Sequence, residues 1–183
     1  MGYRLRAFSK EDQEIIFNWR NLQHIRMNMY DDQLIPYEEH CRWFEYVLKE
    51  QIHYYRLFLY HDKPLGLISF KNYSLEKQSC DWGFYIGESH APKGAGTIMG
   101  YLGLEYAFHH LGMKKIFGEV LSFNDKSKSF HRKLGFKHEG LSKNKLIRDG
   151  RSIEVNNFSI LKEGWDKHKG TLKSEFYSRG VIV

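Results

Sequence analysis

The chain has 183 residues and a mass of 21.8 kDa, with 28 basic and 22 acidic side chains and a formal net charge of +6. A chain of this length closes one hydrophobic core without staples, and 42% hydrophobic against 27% charged residues with only 3 prolines excludes a disordered or low-complexity polypeptide. No apolar run approaches a membrane span and the start MGYRLRAF lacks a secretory leader's apolar stretch, while Cys41 and Cys80 make no metal spacing and read as reduced thiols of a cytoplasmic protein.

In chain order, Tyr3–Ala7 alternates as a first strand. Ser9 with Asp12 three residues on signals a helix start, and Ile15, Ile16 and Trp19 give that helix an apolar face through Arg20. A short helical piece spans Gln23–Met29. Pro36 opens a third helix that buries Phe44, Val47 and Leu48 and turns Glu38, Glu39 and Glu45 to water. Tyr54–Tyr60 and Leu65–Tyr73 are β-rich runs joined at His61-Asp62-Lys63-Pro64, a hairpin pattern, and Cys80–Gly87 is the next strand. From Gly94 to Leu111 the residues Ile98, Tyr101, Leu102, Leu104, Phe108 and Leu111 recur at helical spacing. Strand Lys115–Leu121, helix Asp125–Leu134, strand Phe136–Ile147, a turn at Asp149-Gly150 and strand Ser152–Leu161 follow. This order predicts an α/β (α+β) domain, with a mixed central sheet of about seven strands and helices on both faces. The whole chain reads as one domain, with residues 164–183 expected as a peripheral tail.

The charge surplus is local. Residues 114–151 carry 11 basic against 4 acidic groups, interleaved with apolar residues as in a folded segment. Such a stretch suits nucleic acid or a small polyanion. No recognisable RNA- or DNA-binding pattern accompanies it, so neither nucleic acid nor a membrane is expected as a partner. The ten histidines and two cysteines form no metal-ligand spacing, so no metal is expected.

Chemistry concentrates in two blocks. The first is the strand Asp81–Gly87 (D-W-G-F-Y-I-G), followed by Lys93-Gly94-Ala95-Gly96-Thr97 at the start of a long helix. A glycine loop at a helix N-terminus offers unpaired N–H groups and the positive end of the helix dipole to an anion. It is neither a P-loop nor a dinucleotide fingerprint. The second block runs from Glu119 to Phe136, with Asn124, Ser127, Phe130, Lys133 and Gly135 at fixed offsets. Together the blocks resemble the GNAT N-acetyltransferase superfamily.

The resemblance implies acetyl-CoA as co-substrate. Its pyrophosphate would lie at Lys93, Gly94, Ala95, Gly96 and Thr97, and its pantetheine arm along Tyr85 and Ile86 and beside Asn124 and Ser127. Two positions depart from the family pattern. Ala91 stands where the phosphate loop usually begins with a basic residue or glutamine, and His131 stands where a tyrosine commonly protonates the departing thiolate. Histidine can serve as a proton donor near neutral pH. Asp81 and Glu119 are the carboxylates expected to take the amine's proton, directly or through water.

The amino-terminal series Trp19-Arg20-Asn21, Ile25-Arg26, Met29-Tyr30, Ile35 and Glu39-His40 resembles the sugar-nucleotide branch of the superfamily, above all the enzymes of pseudaminic acid biosynthesis. These acetylate the 4-amino group of a UDP-linked 4-amino-4,6-dideoxy sugar. The resemblance implies Arg20 and His40 near the nucleotide phosphates, with Met29, Tyr30, Trp43 and Tyr85 framing sugar and base. The small-molecule partner expected is therefore an amino-sugar nucleotide, bound by a monomer or homodimer. Two alternatives remain open at this level: a protein N-terminal acetyltransferase of the ribosomal-protein type, and a non-catalytic module binding CoA or RNA.

Overall fold

A computed structural model describes residues 2–49 and 54–181. Seven strands form one sheet: β1 (Tyr3–Arg6), β2 (Tyr55–Tyr60), β3 (Lys63–Ser74), β4 (Ser79–Ile86), β5 (Lys115–Leu121), β6 (Lys137–Arg148) and β7 (Arg151–Leu161). Their order is β1-β2-β3-β4-β5-β7-β6, and every described pairing is antiparallel except β4 with β5. Among the described residues, six α-helices complete the domain: α1 (Gln13–Asn21), α2 (Gln23–Arg26), α3 (Tyr37–Lys49), α4 (Ala95–Glu105), α5 (Asp125–Lys133) and α6 (Lys162–Ser178).

The period of two along the strands divides the core. Leu57 and Leu67 point to one face, where Ile16 and Trp19 of α1, Ile25 of α2 and Phe44 of α3 bury against them. Phe58, Ile68, Phe70 and Trp82 point to the other, packed on Ile98 and Leu104 of α4, Leu134 after α5, and Trp165 of α6. At the start of the chain, Asp12 takes both arms of the Arg6 guanidinium at 2.6 and 2.7 Å and the Ser9 N–H at 2.7 Å, fastening β1 to α1.

Several local details differ from the sequence reading. The β2–β3 turn is tighter: His61 and Asp62 both take positive φ (46° and 64°), as a two-residue hairpin turn demands, and Lys63 and Pro64 already belong to β3. The second helical piece ends at Arg26, three residues early. The long helix relaxes into a π-turn over Tyr106–His110.

The larger difference is at the carboxyl end. Residues expected as a peripheral tail form α6, whose Trp165, Leu172 and Phe176 are buried in the main core. The i, i+7, i+11 spacing of these residues places them along one side of a helix. Trp165 is fully buried and its indole N–H donates to Glu105 at 2.6 Å. Trp165→Ala should therefore lower the unfolding free energy by about 3–5 kcal/mol, read from urea denaturation; a loss under about 1 kcal/mol would mean that α6 contributes only peripherally.

Candidate active site

The site begins where the sheet splits. β4 and β5 pair in parallel only over Ser79↔Lys115, Cys80↔Ile116 and Asp81↔Phe117. Beyond that rung β4 continues to Ile86, paired on its other side with β3, and β5 continues to Leu121, paired with β7. The edges of 82–86 and 118–121 that face each other make no ladder, so backbone donors and acceptors line the gap.

The gap is a crevice of about 520 Å³. Trp82 to Ile86 line one wall and Glu119 to Leu121 the other, with Gly96 and Met99 of α4, and Asn124, Ser127, Phe130 and His131 of α5 closing it. At its α4 end Gly94 takes φ +92° as the helix N-cap, a conformation that disfavours a side chain. A Cβ built on Gly96 finds its nearest neighbour, Ile86, only at 4.0 Å, so the crevice side of this glycine is open. Ala95 and Thr97 spend their N–H groups on Pro92 and Gly94 carbonyls. Lys93 is exposed. An extended ligand with amides along its length and an anionic end fits this chemistry: strand-edge groups along the gap, a helix N-terminus at one end.

Asn124 caps α5, its side-chain oxygen accepting the Ser127 N–H at 3.0 Å. That cap fixes how α5 enters the crevice.

His131 does not stand as a proton donor. It is 2% exposed. Its Nδ1–H donates to the Ser127 carbonyl at 2.8 Å, and its Nε2 accepts the Trp82 indole N–H at 3.0 Å. The ring stacks on Phe158 with centroids 5.0 Å apart, and Gly118 has no Cβ because one would collide with Nε2 at 2.5 Å. Burial drives its pKa down to about 4, against a smaller opposing effect of the Ser127 carbonyl. With both nitrogens engaged and the neutral form enforced, His131 is a packing element of the crevice floor, and the general-acid expectation fails.

The two carboxylates also part company. Glu119 lines the crevice. One of its oxygens accepts the Tyr30 hydroxyl and the other pairs with Lys145. Burial and then this hydrogen bond raise the Tyr30 pKa, so the phenol stays a donor. Asp81 instead accepts from the Asn72 amide at 2.5 Å and lines a separate cavity of about 440 Å³ with Lys115 and Phe117. It lies at the last paired rung, before the crevice opens.

A further cavity, about 310 Å³, adjoins the crevice between α1, α3 and the opposite face of β2–β4. Trp43, Tyr55 and Tyr85 give it aromatic walls, and Arg20, Lys71, Glu39 and Ser69 give it polar ones. Met29, Gly83, Phe84 and Tyr85 line both cavities, so the two meet at the middle of β4. Arg20 donates one arm to the Asp31 carbonyl at 3.1 Å, while its Nη1 is buried without a hydrogen-bond partner. Burial lowers its pKa, offset in part by Tyr85 and Asp31.

His40 lines this cavity but is 3% exposed, and its Nε2–H is spent on the Gln13 carbonyl at 2.9 Å. Burial lowers its pKa, so it offers no cation to a phosphate and that expectation is corrected. Tyr30 lies outside the cavity walls, at 46% exposure, and turns to Glu119 rather than to a sugar ring.

Several contributors went unnoticed in the sequence. Tyr55, Ser69 and Lys71 reach the cavity because the β2 and β3 registers place them on one face, a signal that strand alternation does carry. Lys145 and Arg148 come from the β6–β7 hairpin. Arg148 donates to the Met27 carbonyl at 3.0 Å and the Met29 carbonyl at 2.6 Å and lies 3.1 Å from the Asp32 carboxylate, strapping residues 27–32 across the opening. No local pattern announces such contacts.

Residues 3–137 match the acetyltransferase (GNAT) domain, and the chain belongs to that family. The crevice offers strand-edge groups along its length and a helix N-terminus at one end, the setting that an extended ligand with an anionic end requires. A Bacillus subtilis (strain 168) protein named "Putative ribosomal N-acetyltransferase YdaF" is 26% identical over 111 residues; the match covers 61% of this chain, and the chain spans 61% of that protein's length. In fold, the chain is similar to the spermidine N-acetyltransferase of Vibrio cholerae in complex with CoA and spermine, with TM-score 0.81 and 22% identity over 90% of this chain and 98% of that one. It is also similar to the Salmonella typhimurium protein described as "yncA, a putative ACETYLTRANSFERASE", with its cofactor acetyl-CoA, with TM-score 0.70 and 17% identity over 88% and 94%. Among the described residues no helix is long and apolar enough to cross a membrane, and no cluster of three His, Cys, Asp or Glu side chains could hold a metal.

Two outcomes follow from this geometry. His131 has a folded pKa of about 4, below its unfolded value, so only the unfolded chain gains a proton between about pH 6.5 and 4. Its contribution to stability is full above pH 6.5 and is lost as pH falls, on the order of 3 kcal/mol in all. Urea midpoints measured across that range should flatten in His131→Gln relative to the native chain; an identical slope would contradict a buried neutral ring. At the loop, Gly96→Ala should leave the melting temperature unchanged or raised, since alanine favours helix. Its methyl group enters the crevice and should weaken CoA roughly tenfold in calorimetry; unchanged affinity would place the ligand elsewhere.

Proposed function

We propose that the enzyme transfers acetyl to the amine of a nucleotide-linked amino sugar, of the UDP-4-amino-4,6-dideoxy-hexosamine type used in pseudaminic acid synthesis. The observation that carries this reading is Arg20: a guanidinium with a buried, unpartnered Nη1 in an aromatic-walled cavity that opens onto the crevice. A planar donor fork suits a phosphate, and aromatic faces suit a sugar or a base. Lys71 adds a second cation and Glu39 is the only carboxylate among the lining residues. That balance opposes a polycationic acceptor and favours one that carries negative charge.

Acetyl-CoA supplies an acetyl group activated as a thioester. The chain's residues then have separable tasks. Strand edge 82–86 aligns the extended ligand, and the α4 N-terminus faces its anionic end. Met29 and Tyr85, at the junction of the two cavities, hold the acceptor against the reacting carbon. Glu119, at the crevice wall, takes the proton that the amine must lose. Tyr30 and Lys145 fix the orientation of that carboxylate. The departing thiolate is stable enough to leave without a strong acid beside it, consistent with a His131 that is closed to proton transfer.

In a thiol-release assay with a UDP-4-amino-4,6-dideoxy-hexosamine, Arg20→Ala should raise the acceptor KM at least tenfold with little change for acetyl-CoA. Faster turnover of N-terminal peptides than of any amino-sugar nucleotide would overturn the acceptor assignment and favour the ribosomal-type reading that the Bacillus relative's name suggests. Glu119→Gln should cut kcat by roughly 10²–10⁴-fold with acetyl-CoA KM nearly unchanged, while Asp81→Asn stays near the native rate. The opposite ranking would move the base to Asp81.

A further inference from the structure

The loop before α4 is met from outside by one side chain. A Cβ built on Gly94 would lie 3.7 Å from Nη1 of Arg179, the only atom found within 4 Å of it among the described residues beyond the loop's own neighbours. Arg179 is the C-cap of α6. The Val181 N–H donates to the Phe176 carbonyl and the Gly180 N–H to the Tyr177 carbonyl, both at 3.0 Å, and Gly180 takes φ +70°. This is a Schellman motif, complete with its apolar contact, since Phe176 is buried and Val181 packs on the same core. The backbone of Arg179 is thus held in place even though its side chain is exposed.

The guanidinium is half committed. Nη2 lies 2.7 Å from the Glu175 carboxylate, which also takes Lys133 at 2.9 Å. Two cations share one anion, so the cluster stays net positive and Nη1 is left toward Gly94. The loop itself is poor in donors: Ala91 has none on its side chain, and Lys93 is the only lysine or arginine between residues 88 and 97. A pyrophosphate is doubly anionic, and an arginine with one arm already oriented loses little freedom when the other grips a phosphate oxygen.

We propose that Arg179 is a phosphate-binding residue of the acetyl-CoA site, reaching the pyrophosphate across the Gly94 loop from the far end of the chain. The assignment rests on the pyrophosphate lying at this loop. It is independent of which amine is acetylated.

Calorimetric titration of the full chain with CoA and with 3′-dephospho-CoA tests it. Arg179→Ala should weaken both ligands by about tenfold, and Arg179→Lys should recover part of the loss. Glu175→Gln, which removes the ion pair but keeps the guanidinium, should bind at least as tightly as the native chain. The proposal is overturned if Arg179→Ala binds within twofold of native, or if Glu175→Gln loses as much affinity, which would mark a helix-end ion pair. A loss seen with CoA but not with the dephospho form overturns the pyrophosphate assignment. Gly96→Ala separates the premises: if it weakens CoA while Arg179→Ala does not, the loop placement stands and Arg179 has no part in it. If neither variant weakens CoA, both fall.

Discussion

The parting of β4 and β5 after the Asp81–Phe117 rung is the constraint on which the rest of the molecule depends. A parallel pair that stops after three rungs leaves two strand edges facing each other with their backbone groups unpaired. Below the split, the aromatic cluster of Trp82, Phe84, Phe130, His131 and Phe136 fills the space. Above it, Met29 and Tyr85 join the crevice to the aromatic-walled cavity. The same divergence therefore makes the crevice, its floor and its junction with that cavity.

His131 illustrates how packing can remove a chemical role. A free histidine titrates where proton transfer is useful. Here the Ser127 carbonyl and the Trp82 indole occupy its nitrogens, and Phe158 covers its face. The bare Gly118 opposite makes room for the ring. An imidazole so placed gives shape to the crevice and cannot carry a proton through it.

Part of the basic surplus of residues 114–151 holds the protein together. Lys133 pairs with Glu175, Lys128 with Asp125, Lys145 with Glu119, and Arg148 with the strap over residues 27–32. Lys126 lines the crevice. A segment charge that reads as a ligand-binding patch in the sequence also supplies, in the fold, clamps between elements through Lys133, Lys145 and Arg148. Cations from other elements, Arg20 of α1 and Lys71 of β3, line the aromatic-walled cavity.

Local pattern was enough to order the strands and helices through β7, to mark the glycine loop at the start of α4, and to align Asn124, Ser127 and Lys133 with a family motif. Each of those signals is short-range: alternation, helical spacing, a cap, a left-handed glycine. The α6 signal was present as well, in the spacing of Trp165, Leu172 and Phe176, but a polar, lysine-rich stretch masks a single apolar stripe. Tertiary structure alone decided which polar groups share a site. Arg20, Lys71, Glu119 and Lys145 lie on four different elements, and burial and competing hydrogen bonds separate an Arg20 with an unpartnered Nη1 from an occupied His40. The sequence by itself determined the class of fold and the chemistry of the family. The burial, spent hydrogen bonds and long-range contacts that assign roles to individual side chains exist only once the chain has closed on itself.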